Sequence, residues 1–292
     1  MPAYLDHAAT TPMSPAALAA MTAELAEVGN PSSLHGAGRR ARKVVEQARE
    51  HIAHALGAQP VDVIFTSGGT EADNLAVLGL YRARRAADPA RTHVVASAIE
   101  HHAVLDPVQA LADREGATVH WLEVNRCGQV DLDHLHALLR DHDQQIAFVA
   151  VMSANNEVGT RQPIAEVVAA CEPLGIPVHS DAVQSVAWEP FNFRASGLAT
   201  AAVTAHKVGG PHGIGALLIA RGVALEPISF GGGQEAKLRS GTLDAPAAVA
   251  FATALTETVA EQSERSARVR SLRAQLVAAV MECAPEIGRA HV

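Results

Sequence analysis

Only three lysines, Lys43, Lys207 and Lys237, occur against a background of arginine. Lys207 directly follows the apolar run Ala201-Ala202-Val203-Thr204 and precedes Gly209-Gly210, which puts its amine at the carboxyl end of a strand, where α/β sheets bind ligands. A lysine partly desolvated there has a lowered pKa and can form a Schiff base with a carbonyl compound such as pyridoxal phosphate; the plain alternative is a solvated loop lysine. Asp181 ends the apolar run before it, in Val178-His179-Ser180-Asp181. A carboxylate beside a Schiff-base lysine keeps a pyridinium nitrogen protonated, whereas the structural alternative is a helix N-cap. Thr66-Ser67-Gly68-Gly69-Thr70 reads as a strand, a glycine turn and a helix start, which offers free amides and the positive end of a helix dipole to a phosphate. It matches neither a Walker loop nor a dinucleotide turn. Glu100-His101-His102 follows another apolar run, so His101 is a candidate for proton transfer and for stacking on an aromatic ring; a surface pair is the alternative. His134, His136 and His142 fall on one helix at spacings that do not share a face, so no metal site is expected.

The elements that must hold these groups alternate between apolar runs and helical periods, the pattern of a mainly parallel sheet covered by helices. Strands are predicted at 61–66, 93–97, 118–124, 146–152, 177–180, 201–204 and 214–220, and helices at 37–56, 71–85, 104–114, 132–140 and 164–174. From Ala247 to Cys283 the chain reads as one helix with Val269, Leu272, Leu276, Val280 and Cys283 on a single stripe that needs a partner surface. Pro246 suits its start, and Pro285 and Gly288 its end.

The chain has 292 residues, 48% hydrophobic and 18% charged, so a sizeable core is possible and fibrous or disordered classes are excluded. No apolar run is long enough to span a bilayer and no signal segment opens the chain, so neither a membrane nor secretion is expected. A net charge of −8 argues against a nucleic-acid surface. Three cysteines, Cys127, Cys171 and Cys283, without C-x-x-C spacing suggest no disulfide framework or zinc site, and fit a reducing cytoplasm.

Taken together, these windows resemble the cysteine desulfurases, class V aminotransferases of the fold-type I pyridoxal-phosphate enzymes. The resemblance is carried by Tyr4 to Pro12, Gly29 to Ser33 with His35 and Gly36, Thr66 to Asn74, Glu100-His101, Asn155 to Gly159, Asp181 to Gln184, His206-Lys207, Gly231 to Glu235, and Arg239 to Thr242. It implies an α/β fold of type I, a mainly parallel seven-stranded sheet flanked by helices. The domains would be an N-terminal arm at 1–14, a large cofactor-binding domain at 15–250, and at 251–292 a linking helix and the start of an incomplete smaller C-terminal domain. It further implies that Lys207 forms the Schiff base with pyridoxal 5'-phosphate, that Asp181 pairs with the ring nitrogen, and that His101 stacks on the ring and moves protons. Gln184 and Asn156 would contact the phenolic oxygen; Gly69, Thr70, Thr204 and His206 would hold the phosphate. Thr242 would reach that phosphate from the second subunit of a homodimer. Thr204 replaces the usual serine and keeps the hydroxyl.

The implied reaction removes sulfur from L-cysteine, leaving L-alanine and an enzyme persulfide that serves an acceptor or scaffold protein in iron-sulfur assembly or thiolation. The family's sulfur-accepting cysteine and its substrate-clamping arginine lie beyond the position corresponding to Val292, so a C-terminally truncated chain is expected. Selenocysteine lyase, another class V lyase or aminotransferase, and an inactive cofactor-binding scaffold are the alternatives.

Overall fold

The computed structural model describes residues 3–284. Its centre is a seven-stranded sheet: β1 (Val63–Thr66), β2 (His93–Ser97), β3 (Thr118–Leu122), β4 (Ile146–Ala150), β5 (Val178–Asp181), β6 (Thr200–Thr204) and β7 (Gly215–Ile219). The strands lie in the order β1-β7-β6-β5-β4-β2-β3. Only β7 runs against its neighbours β1 and β6, so the carboxyl ends of the other six share one edge. Most of β1, β4, β5 and β6 is buried on both faces, which explains why these strands read as continuous apolar runs instead of alternating ones.

Helices cover both faces. α3 (Gly69–Ala87) and α4 (His102–Glu115) pack on one side through Leu80, Tyr81, Val104 and Leu111. α2 (Gly36–Ala55), α5 (Leu132–His142), α6 (Ile164–Cys171) and α8 (Ala245–Cys283) close the other through Ile52, Leu135, Val167 and Phe251. α1 (Pro15–Leu25), capped by Ser14, packs along α8 with α2, and the short α7 (Phe193–Ser196) follows β5. Among the described residues no helix is long and apolar enough to cross a membrane.

Several boundaries differ from the predicted ones. The strand expected from Val61 starts at Val63, because Pro60–Asp62 is a 3-10 turn in which the Asp62 carboxylate accepts from Gln59 N–H. The strand expected through Val124 stops at Leu122, and Val124 makes only an isolated bridge to Val130. The helix expected to Leu174 ends at Cys171, since Pro173 lacks the N–H to continue it and 172–174 tighten to 3-10. α1 and α7 were absent from the predicted elements; α1 is alanine-rich with little periodic contrast, and α7 is a single turn. In α8 the first half is buried, whereas Val269, Leu272, Leu276 and Val280 of the expected stripe are 41–65% exposed. The expected stops Pro285 and Gly288 lie outside the described residues.

One buried ion pair ties α2 to the sheet and to the loop before α8. Arg49 forks onto both carboxylate oxygens of Glu235 at 2.7 and 2.8 Å, donates to Val63 O at 2.6 Å and lies over the Phe65 ring. Glu235 is 3% exposed and also accepts from Phe65 N–H. Burial alone would lower the Arg49 pKa, but the Glu235 carboxylate outweighs it and holds the guanidinium above its ordinary value. Glu235→Ala leaves the buried Arg49 guanidinium with only the half-exposed Glu46 carboxylate at 3.2 Å as counter-charge, and should cost toward the lower end of about 3–5 kcal/mol in urea unfolding, while the pair Arg49→Met with Glu235→Leu should recover most of it. A single-variant loss under about 1 kcal/mol, the range of an exposed pair, would show that the clamp contributes little.

Candidate active site

Five strand ends converge on one cavity of about 550 Å³, a size that suits a cofactor or small substrate. It is lined by Gly69 and Thr70 after β1, His101 after β2, Met152 and Asn156 after β4, Asp181 and Gln184 at the end of β5, and Thr204, His206 and Lys207 after β6. Nine of the ten residues singled out from sequence therefore stand together. The tenth, Thr242, is exposed and outside this cavity.

The glycine turn has its helical form. Gly68 caps α3 without a side chain and takes φ 155°, a conformation that L residues with side chains rarely adopt. The first amides of α3 have no intrahelical acceptor, and the turn is held by Glu71, which accepts from Ser67 N–H at 2.6 Å and from Arg239 at 3.0 Å. A methyl group at Gly69 would come within 2.8 Å of the Val183 side chain, so a larger residue in the floor of the cradle must displace it.

His101 is both the N-cap of α4 and a wall of the cavity. Its Nδ1 accepts from Ala103 N–H at 3.1 Å, so in the neutral ring the proton sits on Nε2. Pro107, inside α4, leaves the Ala103 carbonyl without its usual donor, and Asn74 of α3 supplies one at 3.3 Å.

Lys207 is half-buried, and desolvation lowers its pKa against the opposing pull of Asp181 and Asp6. Its Nζ donates to the carbonyl of Ala8, which also accepts from Gln184 Nε2 at 2.9 Å. The N-terminal segment reaches the cavity through Asp6, Ala8 and Ala9 and is tied down by Thr11 N–H to His206 O and Ser14 N–H to Gly209 O. His206 is pushed down to about 4 by burial and by the nearby Lys207, so it is a neutral donor or acceptor at pH 7.

Beneath the cavity lies a buried polar group that the sequence reading did not find. Asp181 is 6% exposed; one oxygen accepts from Val183 N–H, and burial raises its pKa while His101 and Lys207 pull it down. Asp73 of α3 pairs with His179 Nε2 at 3.1 Å, and His179 Nδ1 meets Thr200 Oγ1 at 2.9 Å. Burial raises Asp73, with Asp181 and Glu100 adding repulsion, and pushes His179 down to about 3, so this pair holds one proton and no net charge. Glu100 accepts from Met152 N–H at 2.6 Å, while its second oxygen is buried without a partner. Asp73 stands four residues after Gly69 and His179 two residues before Asp181, so each lies inside a motif whose other residues carry the chemistry. Their pairing across 106 residues left no local signal.

The cysteines stand elsewhere. Cys127 and Cys283 are exposed; Cys171 is buried in α6 and its thiol is pushed up to about 12 by burial. None of them lines this cavity.

The mostly parallel seven-stranded sheet flanked by helices is the fold of a fold-type I enzyme, and its strand ends present a lysine, a buried carboxylate, a capping histidine and a helix N-terminus to one cavity. The aminotransferase class-V family matches residues 3–288. An IscS-like cysteine desulfurase of Mycobacterium tuberculosis is 53% identical over 279 residues, which cover 96% of this chain and 71% of that relative. Among solved structures, a NifS-like protein superposes with TM-score 0.91 at 35% identity, covering 97% of this chain and 77% of its own. A structure described as SspA in complex with cysteine superposes with TM-score 0.80 at 34% identity, covering 86% and 72%. The chain belongs to the class V aminotransferases, within the cysteine desulfurases.

Burial pushes the Glu100 carboxyl up to about 8, and the neighbouring Asp181 adds to the shift against the Met152 N–H. Between its ordinary 4.5 and about 8 the unfolded chain has released this proton and the folded chain keeps it. Its stabilising contribution is whole below 4.5, falls as pH rises through this window and is lost above about 8, at up to about 1.4 kcal/mol per pH unit. Glu100→Gln keeps an acceptor for Met152 N–H and cannot ionise. Urea unfolding from about pH 5 to 9 should therefore show wild type losing stability relative to Glu100→Gln; parallel curves would remove the burial argument.

Proposed function

We propose that this chain binds pyridoxal 5'-phosphate at the five-strand cavity and takes L-cysteine there as a cysteine desulfurase does, with the sulfur-accepting thiolate lying outside the residues that line this cavity. The observation that carries the reading is the convergence of Lys207 and buried Asp181 with the uncapped start of α3. The residues fit the cofactor: amides of Gly69 and Thr70 with the Thr204 hydroxyl and His206 for a phosphate, Asp181 for a ring nitrogen, and Gln184 with Asn156 for a phenolic oxygen. Pyridoxal phosphate, when bound, supplies an electron sink for the substrate carbon.

The chain's own groups then have distinct tasks. Desolvation keeps a fraction of the Lys207 amine neutral, as a nucleophile and a base must be. Asp181, once it faces a cationic ring nitrogen, is held as a carboxylate and keeps the proton on that nitrogen. His101, with Nδ1 occupied by Ala103 N–H, is left with Nε2 to give or take a proton. The cysteine bound in that structural relative supports L-cysteine as the amino acid. Desulfuration breaks the carbon–sulfur bond, passes sulfur to a thiolate as a persulfide and leaves L-alanine once the carbon is protonated. We assign that thiolate to none of Cys127, Cys171 and Cys283, since none lines the cavity. A second copy of the chain bringing its Thr242 to the phosphate, a cytoplasmic setting, and an acceptor or scaffold protein for the sulfur in cluster assembly or thiolation complete the proposal. Within it, the arm is 1–14, the cofactor domain 15–250 and the link to a smaller domain 251–292.

Two outcomes test it. Borohydride treatment of protein purified with pyridoxal phosphate should leave the pyridoxyl group covalently attached after denaturation, and Lys207→Ala should leave none attached; attachment in that variant moves the site elsewhere. Incubated with L-cysteine and a reductant, the 292-residue chain should bind substrate, seen as a spectral change, without repeated release of alanine, because sulfur transfer needs a thiolate within reach of the substrate sulfur. Sustained turnover would make exposed Cys127 the first candidate nucleophile.

A further inference from the structure

Three histidines on three elements meet at the far edge of the sheet. His93 opens β2, His120 lies in the edge strand β3, and His142 ends α5. In the parallel pairing His93 is level with Thr118 and Val95 with His120, so the two strand histidines point to the same face, the one covered by α5 through Leu135 and Leu139. The ring centroids form a nearly equilateral triangle with sides of 4.9, 4.9 and 5.0 Å, and one nitrogen from each ring lies within 4.8 Å of the others. Three imidazoles bound to a tetrahedral ion at about 2.1 Å would have centroids roughly 5.2 Å apart. The triangle therefore has the spacing of a ligand set.

We propose that His93, His120 and His142 bind a divalent transition-metal ion, zinc above all, with water as the fourth ligand. Zinc accepts three neutral imidazoles in tetrahedral geometry. His142 Nδ1 meets Gln145 Oε1 at 3.1 Å, and because an amide oxygen only accepts, the proton is on Nδ1 and the lone pair on Nε2. Without an ion, His120 Nε2 and His93 Nδ1 share one proton at 3.0 Å; on zinc binding that proton moves to the other nitrogen of its ring, so both rings ligate as neutral imidazoles. His120 and His142 are stacked at 28°, so binding turns rings about χ2 while the backbone stays in place. The ion would clip the exposed edge of the sheet, joining β3 to β2 and α5, and so blunt an edge strand.

The test uses chelator-stripped protein loaded with pyridoxal phosphate. Calorimetric titration with Zn²⁺ should saturate at one ion per chain, and Co²⁺ should give tetrahedral visible bands without thiolate charge transfer. His120→Gln and His142→Gln should each weaken binding by more than about a hundredfold and Gln145→Ala by about tenfold, the scale of an outer-shell partner. Excess Zn²⁺ should raise the thermal midpoint of wild type and of neither histidine variant. His142→Gln lies at the end of α5, so it keeps the test valid if His120→Gln does not fold. Absence of saturable binding, wild-type affinity in the histidine variants, or thiolate bands with Co²⁺ would each overturn the site.

Discussion

The rest of this structure is organised around the burial of three carboxyl groups, Asp73, Glu100 and Asp181, against one nearby cationic side chain, Lys207. Unpaired charges of one sign cannot share a dry interior, so protonation is the way the fold relieves them. Asp73 gives its charge up against neutral His179, Glu100 keeps its proton to about 8, and Asp181 alone has Lys207 and His101 to oppose that shift. The polar floor thus selects which carboxyl is available to a ligand, and it does so before any ligand binds.

The strand order converts this selection into a site. β5 and β6 are neighbours, so Asp181 and Lys207 stand at adjacent strand ends, and α3 crosses beneath them to deliver Asp73 from one turn beyond the glycine cradle. The Arg49–Glu235 clamp acts at the outer edge, fixing α2 to β1 so that the turn after Thr66 has a rigid base.

Much of this was legible from residue types alone. Lys207, Asp181, Gly69 and His101 each announce themselves by a chemically suggestive side chain or turn at the end of an apolar run, and the sheet carries them to one edge. The resemblance to a family extended the set to Asn156, Gln184, Thr204 and His206. What stayed hidden depends on lateral neighbours. His179 and Asp73 look like ordinary polar positions until α3 crosses β5, and Asn74 gains meaning only because Pro107 frees a carbonyl on a different helix. His142 was weighed with His134 and His136 on its own helix, whereas its partners came from two strands whose adjacency no local pattern encodes.

The carbonyl of Ala8 takes hydrogen bonds from both Lys207 and Gln184, two of the side chains that line the cavity. A ligand that draws these donors away must release the segment from Asp6 to Ala9, and a segment that is released must make the donors more available. By reciprocity the two equilibria carry the same coupling free energy. For such a ligand the N-terminal segment is a competitor for the donors of this cavity, and its docking and the affinity of the cavity are linked.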